Sequence, residues 1–246
     1  MDCAYPAVSG ALALETQLDI LTNNVANMNT TGFKQSLPVY SGWSNNNQPG
    51  AGDAPVAFST FDQIITDFSQ GGMQTTGAPL DVAIEGDGMF AVQTPQGIRY
   101  TRNGHFTLDD QGQLLSSGGF PVVGTGGPIT IPEGRITIDH DGRVSVLGVE
   151  PNTPPQELDT LSVLTVQDKK NLIPVGGSLY QVADGAEVIP AGGHFLQGML
   201  EGSNVNPMKE MVAMIQVMRM YEAAQKSITA ADEAATQAST QVGKVS

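Results

Sequence analysis

The sequence predicts an α+β protein in which N- and C-terminal helices form an antiparallel coiled coil, with a central antiparallel β-rich domain lying between them along the chain. Three observations lead there. Apolar residues recur at spacings of three and four near both ends, short alternating runs separated by turn residues fill the middle, and a Gly/Asn/Pro-rich stretch joins the first helix to that middle.

The N-terminal stripe is Ala7, Ala11, Leu14, Leu18, Leu21, Val25 and Met28, at spacings of 4, 3, 4, 3, 4 and 3, a heptad pattern. Pro6 suits a first helical turn, and Asn27 to Gly32 supplies residues that stop a helix, with Gly32 free to adopt left-handed backbone. Gly10 costs about 1 kcal/mol against Ala inside a helix, so this helix depends on partners. The segment "SGWSNNNQPGAGDAP", Ser41 to Pro55, then reads as a flexible or extended link. Trp43 at its edge either anchors the arm on another surface or covers one end of the β domain.

From about Gly71 to His194, runs such as "LDVAI", "MFAVQT" and "GRVSVL" alternate with "GDG", "PQG" and "DHDG". Turns at roughly 8- to 12-residue intervals argue for antiparallel β structure, with Pro128, Pro132 and Pro174 at edges or strand starts. Asn206-Pro207 reads as an N-cap followed by proline at the first helical position. Met214, Val217, Tyr221, Ala224, Ile228, Ala231, Ala235, Ala238 and Val242 follow at spacings of 3 and 4, predicting a helix of about 54 Å from Pro207 to Val242. Met208, Met211, Ile215 and Met218 form a second stripe beside the first. One partner helix cannot cover both. The expected divisions are residues 1–34 (inner helix), 35–70 (extended arm), 71–198 (β-rich outer domain) and 199–246 (second inner helix).

With 11 Lys and Arg against 25 Asp and Glu, a formal charge of -14, the chain lacks the clustered cations that phosphate binding needs, which excludes nucleic acid as a partner. No Lys or Arg lies between Lys34 and Arg99, so that segment does not suit an anionic ligand or membrane surface. The single cysteine, Cys3, leaves no intramolecular disulfide, and no apolar run approaches the roughly 18 residues of a membrane span. The N-terminus, without a cation before Lys34, does not read as a cleavable secretory signal, so export would need another route.

Candidate chemistry is sparse. His105, His140 and His194 have no partner at metal-ligand spacing. "DHDG", Asp139 to Gly142, lacks the further ligands of a calcium loop and reads as a hairpin turn. Glu85 and Asp87 flank Gly86; paired carboxylates at the right separation would serve a glycosidase, whereas on a bare turn they are solvated charges. No nucleophile elbow, P-loop or G-x-G-x-x-G occurs. No catalytic, cofactor-binding or metal-binding residue is expected, and no small-molecule substrate. Five of the ten methionines fall between Met208 and Met220, either as a core stripe or as a surface that repacks against non-identical neighbours.

The motif "LDILTNNVANMNTTGFK" closely resembles the N-terminal signature of the flagellar rod, hook and hook-associated proteins, and "LEGSNVNPMKEMVAMIQVMRMYE" resembles the matching C-terminal signature. "PLDVAIEGDGMFAV" and "YTRNGHFTLDDQGQLLSSGGFPVVG" add two more motifs in the same order, together about half the chain. Within the family, the chain's length and "GGPITIPEGRITIDHDGRVSV" look most like the proximal rod type; the link after Trp43 lies where the distal rod type carries an arm, so the distal rod is the alternative. Met218 departs from the glutamine that many relatives carry there.

The resemblance implies a structural, non-enzymatic subunit of the bacterial flagellar basal-body rod in the periplasmic space. Its implied partners are copies of itself, other rod proteins and, during secretion, the flagellar type III export apparatus. It further implies terminal helices that line an inner tube and transmit motor torque through a helical polymer. The expected assembly interface comprises Leu14, Leu18, Leu21, Asn24, Val25, Asn27, Gly32 and Phe33 at one end, and Val205, Asn206, Met211, Met214, Ile215, Val217, Met218, Tyr221, Ala224 and Ile228 at the other. Phe33 is expected to pin the bend after the first helix or to pack on the β domain. In the isolated subunit, residues 1–34 and about 200–246 are expected to remain disordered while the β domain folds. Two rival classes are a periplasmic wall hydrolase using Glu85 and Asp87, and a soluble ligand-binding module with a concave apolar pocket.

Overall fold

A computed structural model describes residues 4–44, 57–148 and 154–242. The chain is a mixed α+β protein with two helices and a β-rich body. In order the elements are α1 (Ala4–Ala26), β1 (Ser36–Ser44), β2 (Ala57–Thr66), β3 (Met73–Thr75), β4 (Val82–Glu85), β5 (Met89–Thr94), β6 (Gly97–Thr101), β7 (Phe106–Leu108), β8 (Leu114–Ser116) and β9 (Val122–Val123). They continue with β10 (Arg135–Ile138), β11 (Arg143–Leu147), β12 (Gln156–Thr160), β13 (Val163–Val166), β14 (Leu172–Gly176), β15 (Leu179–Val182), β16 (Val188–Pro190), β17 (His194–Gln197), β18 (Met199–Glu201) and α2 (Pro207–Val242).

The chain divides into two compact units. The first holds α1, Ser36–Ile65 and the chain from Asn206 onward. Here α1 packs against α2, and β1 pairs with β2 as a two-stranded ribbon. Of the stretch expected to be an extended arm, the described residues of Ser36–Ser44 and Ala57–Thr66 are therefore strand, each supplying hydrogen bonds the other needs. Ala11, Ile20, Leu21 and Val217 are buried, and Leu14, Leu18, Val25, Met214, Tyr221, Ala224 and Ile228 are half-buried. Asn206 caps α2: its Oδ1 accepts from Lys209 N at 3.2 Å and its carbonyl accepts from Glu210 N at 3.1 Å. The helix α1 ends at Ala26, so Met28 of the predicted stripe lies outside it, in a turn where Thr30 N donates to Asn27 O. The side chains of Trp43, Ala7, Ala231, Ala235, Ala238 and Val242, and all of Cys3, lie outside the described residues.

The second unit is Asn27–Gln35 with Thr66–Val205. This differs from divisions at residues 34, 70 and 198: two segments adjoining the helices belong to the β body. Its main sheet has strand order β14-β15-β6-β5-β13-β16, with β9 also pairing β5. Alternation along β5 sends Phe90 and Val92 into one core and Met89 and Ala91 into another, so the strand is covered on both faces. The first core centres on Phe90, whose ring meets Phe106 edge-on at 5.0 Å and Phe195 at 6.1 Å. The second packs Tyr100, Tyr180 and Leu172 under Phe68, which meets Tyr180 edge-on at 5.2 Å.

Pro174 sits in β14 at the sheet's end, where a missing N–H does no harm. The edge of β10 is closed differently. Gln197 accepts from Ile138 N at 3.2 Å and donates to Ile136 O at 3.2 Å, standing in for a neighbouring strand.

Gly32 has φ +68, and a Cβ there would lie 2.4 Å from the backbone nitrogen of Asn103, whereas Gly10 has nothing within 4 Å of its added Cβ. Gly32→Ala is expected to destabilise the body by about 2 kcal/mol or more, and Gly10→Ala to stabilise the helical unit by roughly 0.5–1 kcal/mol. Urea denaturation of both variants, read separately by near-UV signal from the body and by helical ellipticity, checks the pair; equal and opposite signs reversed would refute it.

Candidate assembly surfaces

The helical unit presents an apolar face that its own partner does not cover. Along α2, Met214, Val217, Tyr221, Ala224 and Ile228 lie on the buried or half-buried side, while Met208, Met211, Val212, Ile215, Met218 and Met220 are exposed. Met208 is 73% exposed and Ile215 51%, large values for apolar residues gathered within four turns. Because α2 has 36 residues and α1 has 23, α2 outruns α1 by about 20 Å.

At the other side of α1 the geometry is polar and internal. Asn24 is buried; its Nδ2 donates to Ser36 O at 2.9 Å and to Glu210 Oε2 at 3.1 Å, and its Oδ1 accepts from Ser36 N at 2.9 Å. One amide thus ties the end of α1 to β1 and to the first turn of α2. Glu210 is itself buried there, in the turn where a carboxylate suits the helix dipole.

The turn that follows α1 belongs to the body. Gly32 is buried, Asn27 and Phe33 are half-buried, and Val205 is buried while Asn206 is exposed. Gly32 N donates to Glu201 O at 2.7 Å. Lys34, only 1% exposed, places its ammonium 2.6 Å from Glu201 Oε1 and 2.6 Å from Ser69 O. Arg102 Nε lies 2.8 Å from Glu201 Oε2, and its two terminal nitrogens donate to the carbonyls of Gly88, Gly86 and Ile84. Gly71 N also donates to Glu201 Oε1 at 2.9 Å. Beside this cluster Asn204 accepts from Gln35 N at 2.7 Å and donates to Asp67 O at 2.8 Å and to Ser69. Burial pulls the Lys34 ammonium below its ordinary value, although Glu201 pulls it the other way.

Sequence reasoning placed Gly32 at a left-handed turn but missed Lys34, Glu201, Arg102 and Asn204. Lys34, Glu201 and Asn204 stand inside the quoted terminal motifs and Arg102 inside "YTRNGHF"; nothing local signals that they meet, because Lys and Glu are ordinarily solvated. Chemistry fares differently at the "GDG" turn. Asp87 Oδ1 lies 2.7 Å from Lys169 Nζ, and that hydrogen bond and charge hold its carboxyl below the usual carboxylate range. A carboxylate so held is a poor proton donor, contrary to what a hydrolase acid needs. A groove of about 770 Å³ borders Thr75, Pro79, Arg135, Gln197 and Met199; Gln197 also donates to Pro79 O at 2.8 Å across it. Its lining mixes polar Thr137 with apolar Ala78 and Ile136.

Comparison with known proteins places this geometry. Residues 5–34 match the family described as flagella basal body rod protein, residues 83–146 the flagellar hook protein FlgE/F/G D1 domain, and residues 196–241 the flagellar basal body rod FlgEFG protein C-terminal family. The chain is 34% identical to the flagellar basal-body rod protein FlgF of Caulobacter vibrioides over 98% of both chains. It is 36% identical to the flagellar basal-body rod protein FlgG of Buchnera aphidicola (subsp. Acyrthosiphon pisum) over 92% of this chain and 94% of that one. Against FlgG of Bacillus subtilis the identity is 33% over 93% and 94%.

The phenol of Tyr180 is buried at 3% exposure, and burial raises its pKa above the ordinary 10.0. A raised folded-state pKa means stability intact below pH 10 and lost as pH rises above it, by about 1.4 kcal/mol per pH unit for one proton. Tyr180→Phe is therefore expected to lose less stability than the native chain between pH 10 and 11. Denaturant midpoints at pH 8, 10 and 11 measure the difference; parallel curves would contradict it.

Proposed function

The chain belongs to the flagellar basal-body rod protein family, and we propose that it is the proximal-rod subunit, polymerising into the helical shaft that carries motor torque across the periplasm. The family is structural rather than enzymatic and is located in the flagellar basal body. The observation that carries the proposal is the double-faced helix α2: one face packs on α1, the other offers Met208, Met211, Val212, Ile215 and Met218 to solvent. In the proposed assembly α1 and α2 form an antiparallel coiled coil, and the exposed face, with the overhang of α2, docks on helices of neighbouring subunits. Such contacts use different patches on the two partners, and contacts of that kind build an open helical polymer unless a ring closes. Methionine suits them because its unbranched side chain repacks cheaply against non-identical neighbours.

Alignment over 98% of both chains with a FlgF relative supports the proximal position. The distal rod is the second reading, favoured by the 36% identity to a FlgG relative. In either position the proposed subunit passes unfolded through the flagellar export apparatus before it joins the rod.

Ile215→Asp is expected to change monomer stability by no more than about 0.5 kcal/mol, since the side chain already faces water, yet to abolish incorporation into the rod and swimming. Leu18→Asp and Ile228→Asp, on the half-buried faces, are expected to lose both helix pairing and incorporation. Motility complementation and purified basal bodies read the result; normal rods with Ile215→Asp would sink the proposed docking face. Locating the chain in a density map of the intact basal body separates proximal from distal.

A further inference from the structure

We propose that Glu201, shared between Lys34 and Arg102, is a latch: Asn27–Gln35 docks on the β body only when Met199–Val205 is in place, and the two segments open together while the remaining strands stay folded.

The argument starts from an imbalance of charge. Two buried cations face one buried carboxylate. Arg102 is anchored independently of that carboxylate by the carbonyls of Ile84, Gly86 and Gly88, around the β4–β5 turn. Lys34 Nζ donates to Ser69 O and to Glu201 Oε1, and Glu201 is the carboxylate in contact with its ammonium. Remove Glu201 and Lys34 would sit desolvated beside a like charge, which favours expulsion of the segment that carries it. The converse loss is milder, since Arg102 and Glu201 alone form a matched pair.

The segment buries little apolar surface of its own: its large apolar side chains, Met28 and Phe33, are only half-buried. Two further ties lead to the same C-terminal stretch, Gly32 N to Glu201 O and Gln35 N to Asn204 Oδ1, and Asp67 N donates to Gln35 O at 2.8 Å. Gly71 N to Glu201 Oε1 and Asn204 to Asp67 and Ser69 bring a third segment into the same closure. Lys34 and Glu201 are 167 residues apart, so docking of the first waits on folding of the last. The use of such a latch rests on the rod reading: the segment beyond α1 stays free until the C-terminal segment arrives.

Native-state amide exchange on the full chain tests it. In the unaltered protein, the amides of Gly32, Gln35 and Gly71 are expected to exchange as one set, faster than Val82, Leu114 and Ile129, whose N–H groups bond within the strands and loops of the body. Glu201→Gln should accelerate the first set about 100-fold, the size expected when one partner of a buried ion pair is removed, and the second set by less than about 3-fold. Lys34→Met should accelerate the first set by less than about 10-fold. The latch is overturned if Glu201→Gln leaves both sets unchanged, if it accelerates both alike or unfolds the chain, if Lys34→Met is as severe, or if the two sets exchange together in the unaltered protein. All these readings come from the monomer and leave the Ile215 assembly test independent.

Discussion

The carboxylate of Glu201, held between the buried ammonium of Lys34 and the buried guanidinium of Arg102, is the constraint that fixes where the segments next to the two helices meet the body. Desolvating three charges is expensive, and such clusters contribute more to the uniqueness of an arrangement than to its net stability. Here the uniqueness is positional. A carboxylate from β18, a lysine from the turn after α1 and an arginine just after β6 meet only if the segments next to both helices lie against the same body. Gly32 then has to pass within contact of the Asn103 backbone, which only a residue without a Cβ at φ +68 can do.

Two amide side chains, Asn24 buried and Asn204 half-buried, extend the same logic. Asn204 gathers Gln35, Asp67 and Ser69 in the body, and Asn24 gathers Ser36 and Glu210 in the helical unit. Each sits close in sequence to a point where the chain passes from one unit to the other. Side chains with both a donor and an acceptor are suited to this work, because a passing strand presents both kinds of backbone group. Asn24, inside the last turns of α1, and Asn204, before α2, therefore serve specific backbone partners rather than local turns.

The two units spend their apolar residues differently. In the body, β5 is buried on both faces and the phenylalanines close on one another, leaving a core complete within one chain. In the helical unit, α2 keeps a row of methionines and Ile215 in water although its other face is packed. That division, a body complete in itself and a helix with one face left open, is what the proposed docking face rests on.

The helices and their ends were legible in the sequence because period and capping are local: a 3-and-4 spacing and an Asn-Pro start mark α2 from Pro207 to Val242. The β class of the middle was legible for the same reason, as was Gly32 at a left-handed turn, while Met28 fell outside α1 because the Asn27 turn intervened. What the tertiary structure alone decided is where Lys34 and Glu201 go. A lysine and a glutamate read locally are surface residues; they became a buried ion pair because folding brought opposite charges together across 167 residues, and no pattern within a turn or strand encodes a pairing over that distance.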